Sequence, residues 1–96
     1  IVLHAPRDTR ARVIAHTLAE ILLTETPNPR VFEPILFDAG NMLERDERGK
    51  GLLEDTASRL VRTVFDKRNR PESNLVIGEI VTFQGRWSSF PPHSHP

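Results

Sequence analysis

Two histidines at a fixed short spacing lie in the stretch Gly85-Arg86-Trp87-Ser88-Ser89-Phe90-Pro91-Pro92-His93-Ser94-His95-Pro96. Because side chains alternate between the two faces of an extended strand, His93 and His95 point the same way. Neutral imidazole binds zinc, iron, copper or nickel, so two imidazoles on one face can coordinate the same cation. The two prolines before the pair restrict the backbone and help to fix its direction. The stretch therefore predicts part of a metal site.

The same stretch carries a resemblance to a known family. Trp87 to His95 reads Trp-Ser-Ser-Phe-Pro-Pro-His-Ser-His and resembles the Trp-Ser-Ser-Tyr-Pro-Pro-His-Lys-His stretch of the bacterial 5-deoxy-glucuronate isomerases of inositol breakdown. That family resembles, more distantly, the 4-deoxy-L-threo-5-hexosulose-uronate ketol-isomerases of pectin breakdown, and both are built from paired cupin barrels. The likeness extends upstream through Ser58–Asp66 and Asn74–Phe83, and covers roughly residues 49–96. Pro-Pro-His-x-His is its specific part.

The resemblance implies a mainly β chain that forms part of a cupin, a double-stranded β-helix or jelly roll. One amphipathic helix in the first half is expected from the residue pattern alone and does not align with the family. Residues 1–6 would be the end of a preceding domain, residues 7–48 a helix-containing connecting segment, and residues 49–96 the start of a cupin barrel. Both ends of the sequence are those expected of a piece of a longer protein.

The implied activity is a metal-dependent isomerase that interconverts the aldose and ketose forms of a deoxy-glucuronate-like sugar acid. His93 and His95 match the first two ligands of the cupin motif for a divalent metal: zinc, manganese, iron or nickel. The glutamate and third histidine of that motif have no counterpart here, and the catalytic base stays unidentified. Glu79, on the preceding strand, is an alternative ligand, with an ordinary barrel or surface charge as the competing interpretation.

A sugar acid also requires a cation for its carboxylate, and arginine offers a planar two-point match. Arg86 is the nearest candidate in sequence, with a solvated loop arginine as the alternative. Trp87 and Phe90 are candidates for the walls of the sugar pocket and equally for core anchors. Compared with the family, Arg86 replaces asparagine, Phe90 tyrosine, Ser94 lysine and Pro96 an acidic residue, so the motif is kept while its polar surroundings change.

The composition excludes several classes of protein. Thirteen basic and thirteen acidic residues give no net charge, which removes the electrostatic signature of a nucleic-acid binder. The absence of cysteine excludes a disulfide framework and a thiolate metal site. No apolar run approaches the ~20 residues of a membrane span. We therefore expect a soluble cytoplasmic protein whose partner is a small sugar acid rather than nucleic acid or membrane.

The first half contains the clearest helical pattern of the sequence. After Asp8 or Thr9, either of which can cap a helix, apolar residues recur at a spacing of three to four, and Pro27 and Pro29 would end the helix. The pattern predicts a helix from Thr9 to Thr24. Its apolar stripe consists of Val13, Ile14, Thr17, Leu18, Ile21 and Leu22. His16, beside the stripe, and His4 are lesser candidates for a functional role.

Four segments have strand character. They are Ile1–Leu3, Val31–Phe37, Ser58–Phe65 and Leu75–Phe83. Pro34 limits the second to an edge strand or an irregular extended segment. In the third, side chains of different character alternate between the two faces, and the fourth is nearly all β-branched or apolar. The dense mixed charge of Met42–Gly51 is typical of a solvated loop or helix end. A chain of 96 residues can bury only a modest core.

Three functions remain open on the sequence alone. The first is the isomerase, of which this chain would be one segment and not an enzyme by itself. The second is a non-catalytic cupin-like module that binds a sugar or metabolite. The third is an inactive fragment whose exposed strands associate with another copy as a homo-oligomer, because an unpaired strand edge is a template for pairing.

Overall fold

The computed structural model describes residues 1–96 and is mainly β. Its one helical element is a short 3₁₀ turn at Leu53–Asp55, and no helix is long and apolar enough to cross a membrane. The strands, in chain order, are β1 (Val2–His4), β2 (Ile35–Phe37), β3 (Arg45–Arg48), β4 (Arg59–Phe65) and β5 (Ile77–Thr82).

β1 and β2 form a two-stranded antiparallel sheet in which Val2 lies opposite Phe37 and His4 opposite Ile35. β2 begins immediately after Pro34 because proline has no amide hydrogen to donate to a sheet. The predicted strand character of both segments is confirmed, with the second one limited to its last three residues.

β3, β4 and β5 form a three-stranded antiparallel sheet with β4 in the centre. The alternating segment predicted at Ser58–Phe65 and the apolar segment predicted at Leu75–Phe83 are its two longest strands. The register between them shifts between Thr63 and Phe65, as at a β-bulge. This irregularity lies at the end of β4 that carries the buried apolar residues Val64 and Phe65.

The core lies between the two sheets. Phe37 of β2 stacks on Phe65 of β4 with ring centroids 5.5 Å apart, and Val64 completes the cluster. Half-buried apolar residues surround it: Val2, Ile35, Met42, Leu75 and Ile77. The modest core expected from the chain length is present as a single cluster.

The charged segment at residues 42–51 differs from its prediction. It was expected to be a solvated loop or helix end, but Arg45–Arg48 forms strand β3 at the edge of the sheet, with all four residues exposed. An edge strand needs to bury neither face, and charged residues on it prevent pairing with other chains. The density of charged residues therefore predicted the solvent exposure of this segment correctly but predicted the wrong backbone conformation.

The predicted helix at Thr9–Thr24 is wrong. That segment forms neither helix nor strand, and the apolar residues of its stripe are at least 66% exposed. An isolated helix of this length is marginal in water, and most helical stability in proteins comes from packing of the apolar face. Nothing in the chain packs against this stripe, so the helical spacing of its apolar residues does not lead to a helix.

The charges of the segment also oppose a helix. Arg10 and Arg12 would lie in its first turn, and Glu25 would directly follow its last residue. A helix carries a partial positive charge at its amino end and a partial negative charge at its carboxyl end, so these charges would disfavour it. This unfavourable arrangement adds to the missing packing partner.

A pair of glycines offers a test of the turn that joins β3 to β4. Gly49 (φ +78°) and Gly51 (φ +77°) both have backbone angles that L residues avoid, but a Cβ on Gly49 would lie 2.1 Å from the Ala57 carbonyl oxygen, whereas a Cβ on Gly51 would meet nothing. We expect Gly51→Ala to lower the free energy of unfolding by about 1 kcal/mol. Gly49→Ala should lower the free energy of unfolding by about 1–3 kcal/mol more than Gly51→Ala does, measured by urea unfolding. Equal losses would show that the contact with Ala57 does not constrain the turn.

Candidate metal centre

The two histidines of the Pro-Pro-His-x-His stretch face each other. The Nε2 atoms of His93 and His95 are 3.1 Å apart, and their ring centroids are 4.8 Å apart. Both side chains are exposed. The one-residue spacing therefore brings the imidazoles together on one side, although the segment is an irregular extended stretch and not a strand.

A backbone hydrogen bond orients the first imidazole. His93 Nδ1 lies 2.7 Å from the Pro91 carbonyl oxygen, and since a carbonyl can only accept, Nδ1 carries the proton and donates it. The Nε2 lone pair of His93 is then an acceptor, and in the structure it accepts a hydrogen bond from His95 Nε2. Metal-binding histidines commonly donate their second ring nitrogen to a carbonyl in this way.

The distance between the two Nε2 atoms suits a shared cation. Metal–imidazole bonds of about 2.0–2.1 Å place two ligand nitrogens about 2.9 Å apart at a right angle and about 3.4 Å apart at the tetrahedral angle. The observed 3.1 Å lies between these values. Two neutral nitrogen donors are also the type that zinc, nickel and iron accept, so the pair fits two positions of a metal site.

One side chain of β4, Arg59, contacts the histidine pair indirectly through Phe90. The Phe90 ring meets His93 edge-on at 6.1 Å, and the guanidinium of Arg59 lies 5.5 Å from the centre of the Phe90 ring. Arg59 is buried and donates to the Ala57 carbonyl oxygen at 2.9 Å. No sequence pattern indicated this role for Arg59, because it lies far from Phe90 in the chain and was predicted only as one residue of a strand.

Arg86 and Trp87, the predicted substrate-binding residues, lie on the turn that follows β5. The Trp87 amide donates to the Thr56 carbonyl oxygen at 2.7 Å, which ties this turn to the segment before β4, and the indole is 48% exposed. The Arg86 guanidinium lies 5.3 Å from the centre of the Phe83 ring. Both side chains are accessible, and their role in binding a sugar acid stays a prediction.

No group of three or more histidine, cysteine, aspartate or glutamate side chains converges in the structure. Glu79, the alternative ligand, lies on β5 opposite Arg62, and His16 lies in the irregular first half. The chain therefore brings together two candidate ligands and leaves further coordination positions open.

His4, the other histidine considered for a functional role, packs in the interior of the structure. It is 6% exposed and stacks on Phe32 at 4.8 Å and on Phe65 at 4.2 Å. Arg70 Nε donates to His4 Nδ1 at 2.9 Å, which places the imidazole proton on Nε2. Because a permanently charged guanidinium occupies one ring nitrogen, a cation is disfavoured at the other. His4 is thus part of the core between the two sheets.

Comparison with known proteins identifies the family. The chain matches the model of the KduI/IolB family over residues 1–96. The chain belongs to the KduI/IolB family. The suspected resemblance is confirmed, and the match includes the first half of the chain, beyond residues 49–96 on which the resemblance had rested.

This KduI/IolB chain is also similar to a 5-deoxy-glucuronate isomerase of Lacticaseibacillus casei. The two are 31% identical over 81 residues, which make up 84% of this chain and 28% of the relative. The chain thus corresponds to just over a quarter of the length of that protein. No solved structure matches the chain.

The environment of His4 predicts a pH-dependent stability. Burial, followed by the charge of Arg70, lowers the pKa of His4 below 6.5, and Glu72 acts weakly against this shift. A pKa lowered in the folded state means that the unfolded chain binds the proton more readily. The stabilisation is therefore complete above the unfolded value of 6.5 and is lost as the pH falls towards the folded pKa.

We expect the free energy of unfolding to decrease between about pH 7.5 and about pH 5, measured by urea unfolding at several pH values. His4→Phe keeps a ring in the stack but cannot titrate, so the decrease should become smaller. His16→Gln, at an exposed position, is the control and should behave like the unaltered chain. An unchanged decrease in His4→Phe would exclude His4 as its source.

Proposed function

We propose that this chain is a segment of a metal-dependent sugar-acid isomerase, which interconverts the aldose and ketose forms of a deoxy-glucuronate-like substrate. The observation that carries the proposal is the geometry of His93 and His95, whose Nε2 atoms are 3.1 Å apart within a chain that matches the KduI/IolB family throughout. The similarity to a 5-deoxy-glucuronate isomerase supports the reaction class. The antiparallel β structure is compatible with a cupin barrel completed by the rest of a longer protein.

His93 and His95 would hold the divalent metal through their Nε2 atoms. The metal, when bound, polarises the carbonyl and hydroxyl oxygens of the open-chain sugar and so lowers the cost of removing a proton from the adjacent carbon. The Pro91 carbonyl keeps the His93 proton on Nδ1. His95 must also present a bare Nε2 in that state, with its proton on Nδ1.

Arg86 and Trp87 would bind the substrate in this proposal. A guanidinium can pair with the carboxylate of the sugar acid at two points, and the exposed indole of Trp87 offers an apolar wall for the sugar ring or chain. The hydrogen bond that the Trp87 amide donates to the Thr56 carbonyl oxygen fixes the backbone of this turn, so the two side chains project from an anchored position.

A second candidate function is a cupin-like module that binds a sugar or metabolite without turnover. It differs from the isomerase in the downstream ligands: a glutamate and a third histidine at cupin spacing in the whole protein would favour turnover, and their absence there would favour binding alone. The two functions differ in one measurable property, isomerase turnover by the whole protein that contains this segment.

Metal content tests the ligand assignment. We expect a divalent metal to be present in the purified protein by plasma mass spectrometry, and its amount to fall at least about ten-fold in His93→Ala/His95→Ala, because the loss of two ligands leaves no chelate at this position. His16→Ala, which removes an exposed histidine elsewhere in the chain, is the matched control. Equal metal content in all three proteins would refute the assignment.

Turnover tests the reaction class. In the whole protein, the same double substitution should abolish conversion of 5-deoxy-glucuronate to its ketose isomer, followed by nuclear magnetic resonance of the sugar. His16→Ala should leave the rate unchanged. A metal-loaded whole protein that shows no conversion would favour the non-catalytic binding module.

The support from Phe90 predicts a smaller effect on metal binding. Phe90→Leu removes the edge contact with His93 and the guanidinium–ring contact with Arg59. A cation–π contact contributes about 0.5–1 kcal/mol at an accessible site, so zinc affinity, measured by competition with a chelator dye, should fall about two- to five-fold. Phe83→Leu, which loses the equivalent contact with Arg86, is the matched control and should retain the affinity.

A further inference from the structure

One face of the three-stranded sheet carries a small charged cleft. The register places Arg45 of β3 directly opposite Arg62 of β4, and Arg62 directly opposite Glu79 of β5. These side chains, with Leu60 and Val81 one pair further along the strands, line a cleft of about 110 Å³. The cleft results from strand pairing, so its arginines are held close together by the backbone.

The opposed arginines are an unfavourable arrangement that the chain itself does not neutralise. Residues directly opposite on antiparallel strands have Cβ atoms about 4.5–5.5 Å apart, and like charges there destabilise a sheet. Neither Arg45 nor Arg62 takes part in the three ion pairs of the structure. Glu79 forms no ion pair with Arg62 despite lying opposite it. Glu47, the other charged residue of this face on β3, lies opposite Leu60 and does not line the cleft.

The two guanidinium groups also lack hydrogen-bond acceptors. Five arginine side chains donate to protein oxygen or nitrogen atoms: Arg30, Arg48, Arg59, Arg68 and Arg70. The Arg45 and Arg62 side chains make no hydrogen bond to the protein, a property that they share with the exposed Arg7, Arg10, Arg12 and Arg86. Arg62 is half-buried, so part of its hydration shell is already lost. Each guanidinium carries five donors in a fixed fork, so two arginines that line one cleft and have no acceptor in the protein offer donors to an anion.

We propose that this cleft binds a small oxyanion, either the carboxylate of an organic acid or an inorganic phosphate, between Arg45 and Arg62. Guanidinium groups match both anions with two parallel hydrogen bonds. Pockets for whole small molecules have volumes of about 300–1,000 Å³, so the cleft has room for one anionic group and not for an entire sugar. The bound anion removes the repulsion between the arginines. Glu79 reduces the net positive charge of the cleft to which the anion binds.

The site is distinct from the histidine pair and from Arg86. Arg86 lies against Phe83 on the turn after β5, whereas the cleft uses alternate residues within β3, β4 and β5. Binding there requires neither a metal nor isomerase turnover, so the inference stands or falls separately from the proposed function.

Thermal unfolding at constant ionic strength tests the proposal. Sodium phosphate and sodium D-glucuronate should each be compared with sodium chloride, and D-glucose should serve as the uncharged control. We expect at least one of the two anions to raise the midpoint of unfolding, and isothermal titration calorimetry to give an affinity that falls at least about ten-fold in Arg45→Gln and in Arg62→Gln, because each loses a charge-assisted bidentate contact.

Single substitutions separate the repulsion between the arginines, which is measured in chloride alone, from the binding of the anion. Arg45→Gln removes the like-charge repulsion, and because Arg45 is exposed it leaves the core intact, so its midpoint should be higher than that of the unaltered chain. Glu79→Gln should strengthen anion binding because it removes the carboxylate from the cleft. Arg48→Gln, on the same strand but paired with Asp46, is the control and should keep the full response.

The outcomes identify the anion or overturn the site. A response to D-glucuronate alone assigns a carboxylate, a response to phosphate alone assigns a phosphate, and a response to both assigns a general oxyanion site. A response that is equal in Arg45→Gln, Arg62→Gln and the unaltered chain, or no response in any protein, would refute the proposal.

Discussion

The structure depends on the stack between His4 and Phe65, whose ring centroids are 4.2 Å apart. His4 belongs to the two-stranded sheet and Phe65 to the three-stranded sheet, so this contact and the neighbouring stack of Phe37 on Phe65 join the two. Large-to-small changes at buried aromatic residues cost about 3–5 kcal/mol in typical cores. In a chain with so few buried apolar side chains, such a contact is a large fraction of the stability.

A single arginine extends this cluster to the irregular part of the chain. Arg70 donates to His4 Nδ1 and to the Glu33 carbonyl oxygen, and its guanidinium lies 4.9 Å from the centre of the Phe32 ring. The loop after β4 is thus fixed to the segment before β2. The buried charge is tolerated because an aromatic face and two acceptors replace its water.

The sequence indicated the parts of this structure that depend on local patterns. Alternation identified β4, apolar character identified β5, and the one-residue spacing of His93 and His95 identified their convergence. Local patterns also misled: the stripe of Thr9–Thr24 predicted a helix, but a helix needs a surface to pack on, and β3 was missed because charged edge strands resemble loops.

Contacts between distant residues could not be predicted in the same way. His4 and Arg70 are 66 positions apart, and no property of either residue singles out the other. The same holds for Arg59 beneath Phe90 and for the opposition of Arg45 and Arg62, which depends on the register of two strands. A shift of that register by one residue would move each side chain to the other face, and the sequence alone does not fix it.

The irregular segment between β1 and β2 has a consequence for the entropy of the chain. Pairing of His4 with Ile35 closes a loop of about 30 residues, and the cost of closure grows only with the logarithm of loop length. Each doubling of the length of this loop therefore lowers the free energy of unfolding by roughly 0.6 kcal/mol. Residues 9–24, which add nothing to the core, are the part of the fold where insertions and deletions between homologues are cheapest.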